Sequence, residues 1–243
     1  MKKETDLNQI KSMARTFIYL DIEETKFGAI MVQHPFTNME MVCLLNGKEP
    51  EFVNLLEDEN ALSRWRDIMK NQIEECEYPH QLYILLNKPY RLAFLKYTAE
   101  YMSQDDLSEI LADVRTSTES PNLDPNLNKR KLVSLFISSN PYMLMTEEKL
   151  EVFNSLDEIT IYRGVTSYNA DNEKALSWTL DYDKAEWFAK RFGEARIVYE
   201  AQIEEAHILA YFNRKNESEI IVDPEYLLAI EETQTQIGEI AMM

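Results

Sequence analysis

The stretch Ile159-Thr160-Ile161-Tyr162-Arg163-Gly164 decides how the chain is read, because it opens a run of strand-like pieces after a long helical pattern. Its apolar and polar residues alternate, the period of a strand with one buried face. Two pieces downstream are patterned in a related way, Leu176-Ser177-Trp178-Thr179 and Glu217-Ser218-Glu219-Ile220-Ile221-Val222. Strand residues i and i+2 point to the same face. Ser177 and Thr179 are therefore expected together, with Trp178 opposite them in the core. By the same rule Glu217 and Glu219 are expected to project together. An arginine, a hydroxyl pair and two carboxylates, each on its own strand, are the right groups to converge on an anionic ligand.

Outward from these pieces, the pattern predicts strands over 158–163, 175–179, 196–203, 207–212, 218–222 and 226–231, with a helix over 181–192. Asp181 is a candidate N-cap, and Ala185, Phe188, Ala189 and Phe192 line one face of that helix. Many short strands with one helix favour a two-sheet β core over a βαβ fold. Upstream the period is helical over residues 6–22, over Phe52–Cys76 and from Pro89 to Tyr101. Further helices are expected from Asp105, over Lys129–Ser139 and from Thr146 toward Leu156. Phe27–Gln33 and Met39–Leu45 flank His34–Asn38 as a candidate hairpin, and His80–Leu86 fits either a buried strand or a helix start. Thr116–Asn128, with two prolines and many Asx and hydroxyl residues, reads as a loop, and the tail after Glu232 reads as polar and loosely held. The expected class is α+β. Residues 1–140 form a mainly helical region with a hairpin, and residues 141–243 form the β core.

At 243 residues with 45% hydrophobic content, the chain can bury a sizeable core. A formal charge of −18 argues against direct nucleic-acid binding, which needs clustered lysine and arginine. It leaves two readings open: simple solubility, or an acidic surface that docks on a basic partner. Cys43 and Cys76 are too few for a disulfide framework, and His34, His80 and His207 lack metal-ligand spacing, so no metal is expected. The first residues lack the apolar region of a signal peptide, and nothing approaches the ~20 apolar residues of a membrane span. A cytoplasmic protein without membrane attachment is the expectation. The pattern fixes no oligomeric state.

The three motifs, in their order, resemble the arginine–serine–glutamate class of NAD-dependent mono-ADP-ribosyltransferases, which includes bacterial toxins and phage effectors. There an arginine ends the first strand, Ser-x-Ser/Thr lies on the second and Glu-x-Glu opens the fifth. Here they read Tyr162-Arg163-Gly164, Ser177-Trp178-Thr179 and Glu217-Ser218-Glu219. The likeness covers about the last hundred residues. The short connection between Arg163 and Ser177 resembles compact phage-type relatives, including the ADP-ribosylating anti-CRISPR group. It leaves residues 1–140 as a candidate pocket wall or target-recognition region.

The resemblance implies a role for each residue. Arg163 braces the phosphate and ribose of NAD, the substrate, and the backbone at Gly164 lies near the nicotinamide amide. Ser177 orients the catalytic glutamate and Thr179 supports the strand. Phe188 matches an aromatic that packs on nicotinamide. Glu219 holds the ribose 2′-hydroxyl as positive charge builds on the sugar, and Glu217 steers the incoming protein acceptor, with arginine as the candidate side chain. The segment Tyr211–Asn216 would be the loop that helps recognise the target. Each residue also has a plainer reading. Arg163 fits a structural salt bridge, Gly164 a strand end, Phe188 the core and the two glutamates a solvated strand end. Two other functions stay open: a catalytically silent NAD- or partner-binding module, and an acidic decoy of a nucleic-acid-binding protein.

Overall fold

The computed structural model describes residues 3–28, 30–117, 127–156, 159–166, 174–191, 197–213 and 216–234. Most of the expected 116–128 loop, the tail from residue 235, and much of the connection between Arg163 and Ser177 lie outside the described residues. The chain divides into two compact units, Met1–Pro121 and Asn122–Met243.

The first unit is mostly helical. Helices α1 (Leu7–Phe17), α2 (Glu59–Glu75), α3 (Pro79–Leu85), α4 (Lys88–Thr98) and α5 (Gln104–Ser117) bury one stripe each. Asp6 caps α1 by accepting from the Gln9 N–H, and Asp58 caps α2 through the Asn60 and Ala61 N–H groups. Phe17 and Tyr83 meet Phe94 edge-on at 5.2 and 5.1 Å, and the buried Tyr83 hydroxyl bonds Thr98 at 2.7 Å. Short strands β1 (Glu23–Glu24), β2 (Met31–His34) and β3 (Thr37–Met39) form one antiparallel sheet, so a hairpin turns after His34, but its second strand is Thr37–Met39 rather than the expected Met39–Leu45. Most of the expected strand Met39–Leu45 belongs instead to a second hairpin, whose other strand runs into the start of the helix expected from Phe52. Strands β4 (Met41–Asn46) and β5 (Glu49–Asn54) pair with Asn46 opposite Glu49. Gly47, at φ 66°, supplies the left-handed turn residue between them. The helix therefore starts only after the Asp58 cap.

The second unit contains α6 (Lys129–Ile137), α7 (Pro141–Leu144), α8 (Glu147–Asn154), β6 (Ile159–Val165), β7 (Ser177–Thr179) and α9 (Tyr182–Lys190), followed by β8 (Ile197–Ile203), β9 (Ile208–Phe212), β10 (Glu219–Val222) and β11 (Leu228–Gln234). The expected division at 140/141 falls inside this unit. The reason is packing: Phe136 of α6 lies against Phe212 of β9 at 6.5 Å, and Met145 accepts a hydrogen bond from the Tyr211 N–H.

Strands β6–β11 form a single antiparallel sheet in the order β11-β8-β6-β7-β10-β9, which corrects the two-sheet expectation. The two three-stranded halves meet through one register pair, Tyr162 with Thr179, although β7 pairs along its whole length with β10. Helix α9 lies on β6, with Ala185 and Ala189 fully buried beside Val198. Strand β10 runs between β7 and β9, and Ile220, Ile221 and Val222 are fully buried. That apolar run holds the strand in place and leaves Glu219 at its mouth.

Candidate active site

The waist of the sheet brings Arg163, Ser177 and Glu219 together. In the register of β7 against β10, Thr179 faces Glu219 and Ser177 faces Ile221. Ser177 and Glu219 are thus diagonal neighbours across an antiparallel pair, within reach of side-chain contact. The Ser177 hydroxyl donates to Glu219 Oε1 at 2.5 Å, joining residues 42 positions apart in sequence. A hydroxyl bonded to a carboxylate is a charge-assisted contact that fixes where the second carboxylate oxygen points. Arg163, half-buried on β6, donates from Nη1 to the Ser177 backbone carbonyl at 2.8 Å. The guanidinium is thereby held beside the serine that orients Glu219.

Thr179 is 5% exposed and does more than tolerate a strand position. Its Oγ1 donates to the Glu217 carbonyl at 2.7 Å and accepts from the Asp181 N–H at 3.1 Å. One hydroxyl thus ties the first turn of α9 to the segment entering β10. The Leu180 N–H bonds the Ser218 carbonyl, and the Ser218 N–H bonds Asn213 Oδ1. Two residues there occupy the left-handed region, Asn216 at φ 56° and Ser218 at φ 45°. For an L-residue such as serine this costs about 1–2 kcal/mol and persists only where its surroundings over-determine it.

That turn corrects the reading of the two glutamates. Strand β10 begins at Glu219, and Ser218 is not extended, so the period-two rule does not put Glu217 and Glu219 on one face. Glu217 is positioned through its backbone carbonyl. Its carboxylate makes no hydrogen bond or ion pair among the described residues, whereas Glu219 is gripped by Ser177. The two acids therefore stand in different settings one turn apart.

Gly164 has a packing reason. A Cβ there would lie 1.9 Å from the Ala185 carbonyl oxygen and 2.7 Å from the Ala189 nitrogen. Only glycine lets α9 lie this close to β6. Phe188 is half-buried on α9 and meets Trp187 edge-on at 5.1 Å. Trp178 is buried, its indole N–H on the Ala175 carbonyl at 2.8 Å. Tyr162, at the waist, packs edge-on to Tyr182 at 5.4 Å.

Sequence reading passed over Lys129, which it used only as a helix start. Lys129 is partly buried at the first turn of α6 and donates from Nζ to the Lys174 carbonyl at 2.6 Å. Burial, and next the positive charge of Arg163, push its amine below the usual lysine range. The available signal was Lys129-Arg130-Lys131, three cations at the positive end of a helix dipole, where acids are the rule.

Among the described residues no group of three or more histidine, cysteine or acidic side chains is placed to hold a metal ion, and no helix is long and apolar enough to cross a membrane. Compared with protein-family profiles, curated proteins and solved structures, the chain matches none.

Proposed function

We propose that the second unit is a mono-ADP-ribosyltransferase that cleaves NAD at the nicotinamide–ribose bond and transfers ADP-ribose to a protein side chain. One observation carries the reading: Ser177 holds Glu219 through its hydroxyl and Arg163 through its carbonyl, so all three groups meet at the waist of the sheet. A guanidinium grips phosphate through paired hydrogen bonds, as a dinucleotide requires. A carboxylate held in place by a neighbour is preorganised for the positive charge that develops on ribose.

In this reaction the C1′–N bond breaks and nicotinamide leaves with its electron pair. Glu219 holds the ribose 2′-hydroxyl and stabilises the oxocarbenium-like sugar. The acceptor nucleophile then bonds to C1′ and gives up a proton, a role we assign to the Glu217 carboxylate. An arginine side chain is the candidate acceptor, because the guanidinium needs an acidic partner to orient and deprotonate it. The carboxylate of Glu217, set on a turn rather than on the sheet and without a hydrogen bond or ion pair among the described residues, suits that partnering role.

The experiment is nicotinamide release from NAD, alone and with a cell lysate, followed by detection of labelled protein. Glu219→Gln is expected to keep the fold and lower turnover by roughly 10²–10³, the scale of one lost preorganised contact. Equal turnover in wild type and variant refutes the assignment.

A further inference from the structure

The site has a second cation that the arginine–serine–glutamate pattern does not call for. Lys129 and Arg163 come from different elements, the first turn of α6 and the strand β6. They are anchored on carbonyls close together on one segment, Lys129 on Lys174 and Arg163 on Ser177. Two like charges held near one another and partly buried repel, and the α6 dipole adds to that repulsion at its positive end. Asn128 caps the helix through the Lys131 N–H, and the first turn itself carries no acidic residue. Arg130, from the same turn, is turned outward, with its guanidinium 3.8 Å from Glu225, so Lys129 is the cation whose field meets Arg163. Two cations anchored on one segment beside the Ser177–Glu219 pair, in a chain of net charge −18, mark a functional position.

We infer that Lys129 is a second phosphate-binding residue of this site, taking one phosphate of the dinucleotide diphosphate while Arg163 takes the other. The two fixed cations match the two negative charges of a diphosphate bridge. Arginine supplies the planar fork, and lysine a point charge that accommodates the remaining oxygens. This inference rests on the NAD reading and extends it to the phosphate-recognition set.

The test is calorimetry of the full chain with ADP-ribose, which carries the diphosphate but has no nicotinamide to release. Lys129→Met is expected to weaken binding by roughly tenfold or more, the scale of a charge-assisted hydrogen bond, and Lys129→Arg to restore most of it. Wild-type affinity is also expected to begin falling at a lower pH than an ordinary lysine would cause, while Lys129→Arg stays flat there. A merely structural Lys129 would lower the melting temperature without producing that difference in pH profile. Undiminished ADP-ribose binding by folded Lys129→Met overturns the inference and leaves the NAD reading standing. If wild type binds neither ADP-ribose nor NAD and releases no nicotinamide, both are overturned.

Discussion

Replacing Gly164 by alanine tests how the sheet and α9 position the site. The added methyl would sit 1.9 Å from the Ala185 carbonyl oxygen, where ordinary contact begins near 3.4 Å. The obstruction is helix backbone, so no rotamer change relieves it, and α9 must move outward by about 1.5 Å. Ala185 and Ala189 are fully buried against the sheet and would lose that contact. The top of the overpacking range, about 3 kcal/mol, is the expected cost. For a unit of this size it corresponds to a fall of roughly 10 °C in the melting temperature. The displacement reaches the chemistry through Asp181 and Thr179, which link the start of α9 to Glu217. Thermal unfolding followed by emission of the buried Trp178, together with nicotinamide release at a temperature where the variant is folded, reads both effects. Because the clash is with backbone, adding Ala185→Gly should not rescue Gly164→Ala. A full rescue, or a variant that melts within a degree of wild type, refutes the reasoning.

Ser177→Ala removes the hydroxyl that holds Glu219 and is expected to lower nicotinamide release by roughly tenfold to a hundredfold with little loss of stability, read by steady-state kinetics beside a melting curve. Glu217→Ala is expected to abolish transfer to protein while NAD hydrolysis survives, and Glu219→Ala to lose both. Parallel assays of hydrolysis and labelling decide this, and general-base losses of ~10²–10⁴ are readily seen. In the first unit, burial and then the Arg66 charge hold His34 down to about 4 from the usual 6.5, against the pull of the Ile18 and Leu20 carbonyls. The fold prefers neutral His34, so its contribution is complete above pH 6.5 and is lost as pH falls toward 4, by up to about 3 kcal/mol. Urea unfolding of wild type and His34→Gln across that window should show a steeper acid decline in wild type, and parallel curves would remove His34 from the account.

Element type and order were legible in the sequence because they depend on local periods and caps. Alternation marked β6 and β7, the apolar run Ile220-Ile221-Val222 marked β10, and Asp181 marked the start of α9, where its side chain accepts from the Asp183 and Lys184 N–H groups. The hairpin β4–β5 was also written locally, in Asn46-Gly47, but the sequence reading assigns Met39–Leu45 to the preceding hairpin and starts a helix at Phe52, which splits the pair. Three things depended on the tertiary structure. Ser218 takes a left-handed φ that no serine prefers, so the separation of Glu217 from Glu219 follows from the bonds around that turn. Gly164 is required by a helix eighteen or more residues further on, a distance of approach that no spacing rule encodes. Arg163 and Glu219 are brought to Ser177 by strand pairing, and Lys129 comes within the field of Arg163, all across long sequence separations that a one-dimensional pattern does not encode. Periodicity determines which face a residue occupies on its own element, whereas the register at the Tyr162–Thr179 waist determines which faces come together.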